Sequence, residues 1–164
     1  METPPEPGFL DTDAIRVRNL EEGDLDSVVT IDARSSGRRR PEYFGLMLQR
    51  ALERRNLHVS IVAELDRRVV GFLIGSVFYG EFGVMEPAAT IDAIGVDPEY
   101  RGRHVGKALL RQLRLNLGAL RVATIRTEVS RDDVELLAFF EHEGFAPSNR
   151  LCLETLVDPT APVI

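Results

Sequence analysis

The residues of this 164-residue chain that could do chemistry crowd into one stretch, Thr90 to Leu120, TIDAIGVDPEYRGRHVGKALLRQLRLNLGAL. At its centre, Tyr100-Arg101-Gly102-Arg103-His104-Val105-Gly106-Lys107 combines two glycines with three cations. Before it, Thr90–Val96 is rich in β-branched and small residues and ends at Asp97-Pro98, where proline cannot donate to a ladder, so a buried strand is expected. After it, Val105, Leu109, Leu113, Leu117 and Leu120 form one apolar stripe opposite Arg103, Lys107, Arg111 and Arg114, the period of an amphipathic helix. The loop therefore lies where free backbone N–H groups and the positive end of a helix dipole converge. A helix start opened by glycines and ringed with cations suits a phosphate, so the expected ligand is an anion.

Two familiar phosphate loops fail on spacing. A Walker A loop needs four residues between its glycines and then Gly-Lys-Ser/Thr. Here three residues separate Gly102 from Gly106, and Ala108 follows Lys107, so no hydroxyl is available for Mg²⁺. A dinucleotide fingerprint needs Gly-x-Gly-x-x-Gly, which Gly102-Arg103-His104 breaks at once. The loop resembles instead the acyl-CoA pyrophosphate loop of the GCN5-related N-acetyltransferase (GNAT) superfamily, patterned Arg/Gln-x-x-Gly-x-Gly/Ala. The matching residues are Arg101-Gly102-Arg103-His104-Val105-Gly106, with His104 standing where the first glycine of the pattern belongs. That departure puts a side chain where the backbone normally approaches the pyrophosphate unobstructed.

A second block strengthens the resemblance. GNAT chains carry Glu-Val at the end of a late strand, then a helix patterned Asn-x-x-Ala-x-x-x-Tyr-Glu-x-x-Gly-Phe. This chain has Glu128-Val129, then Asp133, Leu136-Leu137-Ala138, Phe139-Phe140-Glu141 and Gly144-Phe145 at the same offsets. Asp133 replaces the asparagine, and Phe140 replaces the tyrosine that often protonates the leaving thiolate. The likeness runs loosely from Ile15 to Glu154.

Composition bounds the rest. The chain is 44% apolar and 28% charged, the balance of an ordinary globular domain rather than a disordered one. Its length fits one domain with a substantial core. A net charge of −6 argues against nucleic-acid binding. With one cysteine there is no internal disulfide and no cysteine-based zinc site, and His58, His104 and His142 lack metal-ligand spacing, so no metal is expected. No apolar run approaches membrane-spanning length, and the start METPPEPG is no signal peptide. A cytoplasmic protein that binds neither membrane nor nucleic acid is the expectation.

The elements that must position the loop follow from periodicity. Met1–Asp13 and Val157–Ile164 read as flexible tails, with a single domain over residues 14–156. Ala14–Leu20 alternates as a first strand. Leu25–Ala33 and Glu42–Arg54 read as helices around the loop Ser35–Pro41. Leu57–Glu64 and Arg68–Phe78 make a hairpin about Asp66-Arg67, and Gly71 and Gly75 in its second arm suggest bulges or close backbone approach. Tyr79–Ala88 is an apolar loop. After the central stretch come a strand at Val122–Val129, a helix at Arg131–Glu143 and a final strand or strand pair at Phe145–Leu156. Such an order gives a mixed α/β (α+β) fold with helices on both faces of a sheet. The resemblance implies the same order: a mixed, mostly antiparallel sheet of six to seven strands with about four helices, splayed between strands 4 and 5.

The resemblance also implies a reaction. Acetyl-CoA would lie in the gap between Thr90–Val96 and Val122–Val129. Backbone groups of Ile94, Gly95 and Val96 would hold the pantetheine arm, and the Arg101–Lys107 loop would hold the diphosphate, with Asp133 and Phe140 also lining the cofactor. One backbone N–H would polarise the thioester carbonyl, and a neutral amine would attack directly in a ternary complex. Asp92, acting through a water, is the first candidate base, with Glu81, Glu86 and Glu128 as other carboxylates. The bland reading of Asp92 is a hydrogen-bonded structural carboxylate near a strand end. For the acid, Phe140 has no proton to give, which leaves Tyr100, Tyr79, Cys152 or water; Cys152 reads better as a small core residue. Arg38–Arg40 reads as a solvated loop, with contact to an acidic acceptor or the coenzyme's 3′-phosphate as the sharper alternative. The expected activity is N-acetylation of a primary amine, either a small molecule or a protein lysine or N-terminus. A non-catalytic acyl-CoA-binding domain is the alternative, and a homodimer is left open.

Overall fold

The computed structural model describes residues 14–53, 59–80 and 83–160. The expected N-terminal tail, the first residues of the hairpin and Glu81 lie outside these. Residues up to Glu128 and residues from Val129 onward form two compact units.

The first unit is built on a five-stranded sheet in the order β1-β2-β3-β4-β5. Its strands are β1 (Arg16–Asn19), β2 (Ile61–Leu65), β3 (Arg68–Phe78), β4 (Ala88–Val96) and β5 (Thr124–Thr127). The first four are antiparallel neighbours, and β5 joins β4 in parallel. Three helices accompany them: α1 (Leu25–Ser36), α2 (Pro41–Glu53) and α3 (Val105–Ala119). Among the described residues the strand count is one or two below the expectation, while the mixed sheet, its antiparallel majority and the helices follow it.

The β2–β3 hairpin turns on two residues, Asp66 and Arg67, with φ of 49° and 63°. Positive φ at both central positions is the turn that matches strand twist. Side chains then alternate across β3. Phe72 and Ile74 join Val28, Val29, Ile31, Phe44 and Leu48 of α1 and α2 in one apolar core. On the other face Gly71 admits α3: a Cβ there would stand 2.7 Å from Val105 Cγ1 and 3.3 Å from Leu109 Cδ1. The apolar stripe of α3 is buried at Val105, Leu109, Leu113 and Leu117, whereas Leu120, past the last turn, is exposed.

Charges fix the entry to α1. Asp24 is buried, accepts the Glu21 backbone N–H at 2.8 Å, and takes both Arg18 guanidinium nitrogens at 2.8 Å. Arg18 also donates to Glu64 on β2. Burial pushes the Asp24 carboxyl up, but the bonds from Arg18 and Glu21 and the Arg18 charge outweigh it, and the group ends below the usual carboxylate range. α1 ends at Gly37, whose φ of 72° suits the left-handed cap.

The second unit carries α4 (Val134–His142). Asp133 caps it, accepting the Leu136 N–H at 3.1 Å. Gly144, at φ 89°, closes it, and the Phe145 N–H returns to the Phe140 carbonyl at 2.9 Å. Phe140 is buried, with ring centroids 4.8 Å from Phe145 and 5.3 Å from Phe139.

The expected final strand or strand pair at Phe145–Leu156 does not form, and this part of the expectation is corrected. Residues 145–158 adopt no regular structure, and Leu151 and Leu153 are 82% and 87% exposed. Period-two alternation marks a segment able to be a strand, but a strand also needs a ladder partner and a covered face. Cys152, expected in a core, is exposed. Among the described residues, no helix is long and apolar enough to cross a membrane.

Candidate active site

The site begins inside β4. Its register against β3 runs from Gly71↔Val96 to Ile74↔Ala93 and then jumps to Gly75↔Ile91. Asp92 is thus one extra residue, a β-bulge, and Gly75 faces it without a side chain. The reason for that glycine is steric: a Cβ on Gly75 would lie 2.5 Å from the Thr90 carbonyl oxygen. At the same level the parallel ladder to β5 stops. Its last pair is Ile91↔Thr127, held further by the Thr127 Oγ1 hydroxyl donating to the Ile91 carbonyl at 3.1 Å. Beyond that point β4 continues for five residues, Asp92 to Val96, while β5 has ended. The expected splay between strands 4 and 5 is this divergence.

From Val96 the chain enters the loop. Asp97 is 3% exposed; its N–H donates to the Val70 carbonyl at 2.8 Å and its carboxylate accepts the Glu99 N–H at 3.1 Å. A short 3₁₀ turn, Pro98–Tyr100, follows. Gly102 then adopts φ 73° and His104 φ 61°. Two left-handed residues in three bend the chain sharply enough to begin α3 at Val105. His104 occupies a conformation that glycine adopts freely and other L-residues adopt at a cost of about 1 kcal/mol. The first backbone bond of α3 is from Ala108 N–H to His104 C=O at 2.9 Å, so the amides of Val105, Gly106 and Lys107 precede it as the helix's leading donors.

The electrostatics agree with the backbone. No acidic residue occupies the first turn of α3, while Arg101, Arg103 and Lys107 are exposed around it. The Arg103 guanidinium lies 5.3 Å over the Tyr100 ring, a cation–π contact that holds the charge at the loop. Tyr100, Arg101, Gly102, Arg103, His104, Val105, Gly106 and Lys107 are therefore one cluster, fed directly by Ile94, Gly95 and Val96. A phosphate is the kind of anion such a cluster suits.

Of the proposed carboxylates, Asp92 is exposed at the bulge, with Ser76 Oγ donating to its Oδ2 at 3.3 Å. Glu128 is exposed just past β5. Asp133 and Phe140 belong to the second unit, where one caps a helix and the other packs in a ring cluster. Among the described residues, no group of three or more His, Cys, Asp or Glu side chains could hold a metal ion.

Sequence reading missed three residues beside this site. Arg34, on α1, donates through Nη1 to both oxygens of Asp97, at 2.9 and 3.2 Å. Its neighbour Ser35 accepts from Arg101 Nη2 at 3.0 Å. An Asp directly before Pro, two residues ahead of a free N–H, was a legible cue for the Asp97 cap. Nothing in the local pattern pointed to Arg34 or Ser35, which lie more than sixty positions away in the chain.

Comparison with known proteins places the fold and the family. Residues 25–145 match the model of the acetyltransferase (GNAT) family. Among solved structures, the fold is similar to an aminoglycoside antibiotic 6′-N-acetyltransferase from Acinetobacter baumannii, with 15% identity, a TM-score of 0.73, and 88% of this chain and 99% of that one covered. It is also similar to a ribosomal-protein-alanine N-acetyltransferase from Brucella melitensis biovar Abortus 2308 (18% identity, TM-score 0.70, 88% and 100% covered). Ard1 from Thermoplasma volcanium matches at 25% identity with a TM-score of 0.68, over 82% of this chain and 84% of that one. With a family model spanning most of its length, the chain belongs to the acetyltransferase (GNAT) family.

Proposed function

We propose that this chain is an acetyl-CoA-dependent N-acetyltransferase that moves an acetyl group directly to a primary amine. The observation that carries the reading is the coincidence of three features at one end of the sheet: the Asp92 bulge, the end of the β4–β5 ladder at Ile91↔Thr127, and the leading amides of α3. In this reading the diphosphate of coenzyme A meets the Val105, Gly106 and Lys107 amides and the Arg103 and Lys107 charges. The pantetheine arm runs along Ile94–Val96 as an added strand would, where β5 no longer competes for the β4 edge.

The chemistry then needs little covalent machinery. The acceptor, an ammonium at rest, loses a proton to Asp92 through a water, its neutral nitrogen attacks the thioester carbonyl, a β4 backbone N–H receives the developing oxyanion, and the attacking nitrogen's surplus proton passes to solvent. Collapse of the tetrahedral intermediate breaks the carbon–sulfur bond and releases the coenzyme A thiolate. Tyr100, whose ring Arg103 covers, or a water supplies the thiolate's proton. Glu128, just past β5, orients the acceptor. The acceptor class is an amine on a small molecule or on a protein. The named relatives act on aminoglycosides and on ribosomal-protein alanine, which covers both kinds.

The test is acetyl-CoA with a panel of aminoglycosides, polyamines and free-amine peptides, following thiol release and coenzyme A binding by calorimetry. Exposed Cys152 adds one equivalent of thiol as a fixed baseline. Turnover with some amine supports the reading. Tight coenzyme A binding without turnover across the panel would make the chain an acyl-CoA-binding domain, and absence of binding would remove the site altogether.

A further inference from the structure

We propose that Arg34 and Asp97 are positioning residues, a latch that holds the diphosphate loop against the end of α1; the proposal rests on the coenzyme A reading above. Asp97 is buried and its carboxylate faces a cation, so its burial depends on its partners. They are Arg34 Nη1, at 2.9 and 3.2 Å, and the Glu99 N–H at 3.1 Å. The same Nη1 lies 3.9 Å from Glu99 Oε2. One carboxylate therefore joins three elements: β4, which ends at it, the 3₁₀ turn that it caps, and α1, which supplies the cation.

A second tie lies one residue further along α1 and four residues further along the loop. Arg101 Nη2 donates to Ser35 Oγ at 3.0 Å. The Arg101 guanidinium is thereby directed to α1, which leaves Arg103 and Lys107 as the cations for the anion. Both ties join the last turn of α1 to the Asp97–Arg101 segment, immediately ahead of the two left-handed residues that aim the α3 amides. Without Arg34 the buried Asp97 charge has lost its cation, and the inexpensive response is for the turn to shift and admit water. A shift of the turn moves Gly102 and the amides that follow it. The cost should therefore appear in diphosphate binding, not only in folding.

The experiment compares Arg34→Met, Arg34→Lys and Asp97→Asn, with the double variant Arg34→Met/Asp97→Asn. Asparagine keeps an oxygen for the Glu99 N–H and removes the charge, so it separates latch from cap. Expected is a rise of roughly 2- to 30-fold in the calorimetric Kd for coenzyme A and in the KM for acetyl-CoA, with kcat nearly unchanged. The double variant should be no worse than the worse single, because one pair is broken either way, and Arg34→Lys should recover part of the loss. A merely structural pair would lower the unfolding midpoint and leave the Kd of the folded protein at the wild-type value; that result overturns the latch. Effects on Kd that multiply in the double variant overturn it too. Should Arg34→Met fail to fold, Arg34→Lys and Asp97→Asn decide by the same readouts. A wild-type chain that binds no coenzyme A defeats the parent reading as well, whereas a wild type that binds beside variants that match it defeats the latch alone.

Discussion

The two halves of β4 meet different neighbours. Along Ala88–Ile91 the strand is laddered on both edges, antiparallel to β3 and parallel to β5. Along Asp92–Val96 the ladder to β3 continues while that to β5 has ended. The first half is buried at Ala88, Ala89 and Ile91; in the second, Asp92 is exposed and Ala93–Val96 are half-buried. One inserted residue separates them. A bulge at the point where a parallel neighbour departs frees one edge of the strand without adding an element, and on the proposed reading stability and function rest on different residues of the same strand.

That division can be broken most strongly at Asp92. Asp92→Asn should lower turnover by about 10²-fold or more if the carboxylate is the base, with coenzyme A affinity and unfolding midpoint at wild-type values. A full rate with an unaltered pH profile would return Asp92 to a structural role. Next in size, Gly75→Ala should destabilise by about 2 kcal/mol, because its methyl would meet the Thr90 carbonyl rather than a yielding side chain. Urea unfolding reads this directly, and an unchanged midpoint would mean that the doubly paired half tolerates expansion.

The opposite edge of the sheet offers a control in which charge is purely structural. Asp24 has a folded-state pKa below its ordinary value of 3.8, so its contribution is fully present above that pH and is lost as pH falls through the folded value. Wild-type stability should therefore fall more steeply below about pH 4 than that of Asp24→Asn, and parallel acid profiles would remove Asp24 from the account. Thr127→Val should cost about 1 kcal/mol through the lost bond to the Ile91 carbonyl. The smallest effect is expected at His104→Gly. Relief of a left-handed strain of about 1 kcal/mol, less glycine's extra unfolded-state entropy, leaves a gain of about 0.5 kcal/mol. A loss in thermal unfolding would show that the imidazole makes a contact worth more than its strain.

Much of the site was legible because its parts are local. Gly102, Gly106 and the cations around them lie within eight residues, and the α3 stripe repeats at helical spacing, so short-range pattern was enough. Gly71 and Gly75 announced close approach, although not what approaches: α3 at one and the Thr90 carbonyl at the other. The match at Gly144-Phe145 has a local cause too, the left-handed closure of α4, and Asp133 caps that helix as the asparagine it replaces could. The alternating segment after Phe145 misled for the converse reason, since alternation describes one strand and pairing requires two.

The amino-acid sequence by itself determined the order of strands and helices as far as α4, the anion-ready start of α3 and the family resemblance, all of which depend on residues near one another in the chain. Only the tertiary structure decided that Asp92 is the extra residue, that β5 stops at Thr127, and that Arg34 meets Asp97. Register and ion pairing across sixty residues are set by which surfaces pack together, and no local pattern encodes that.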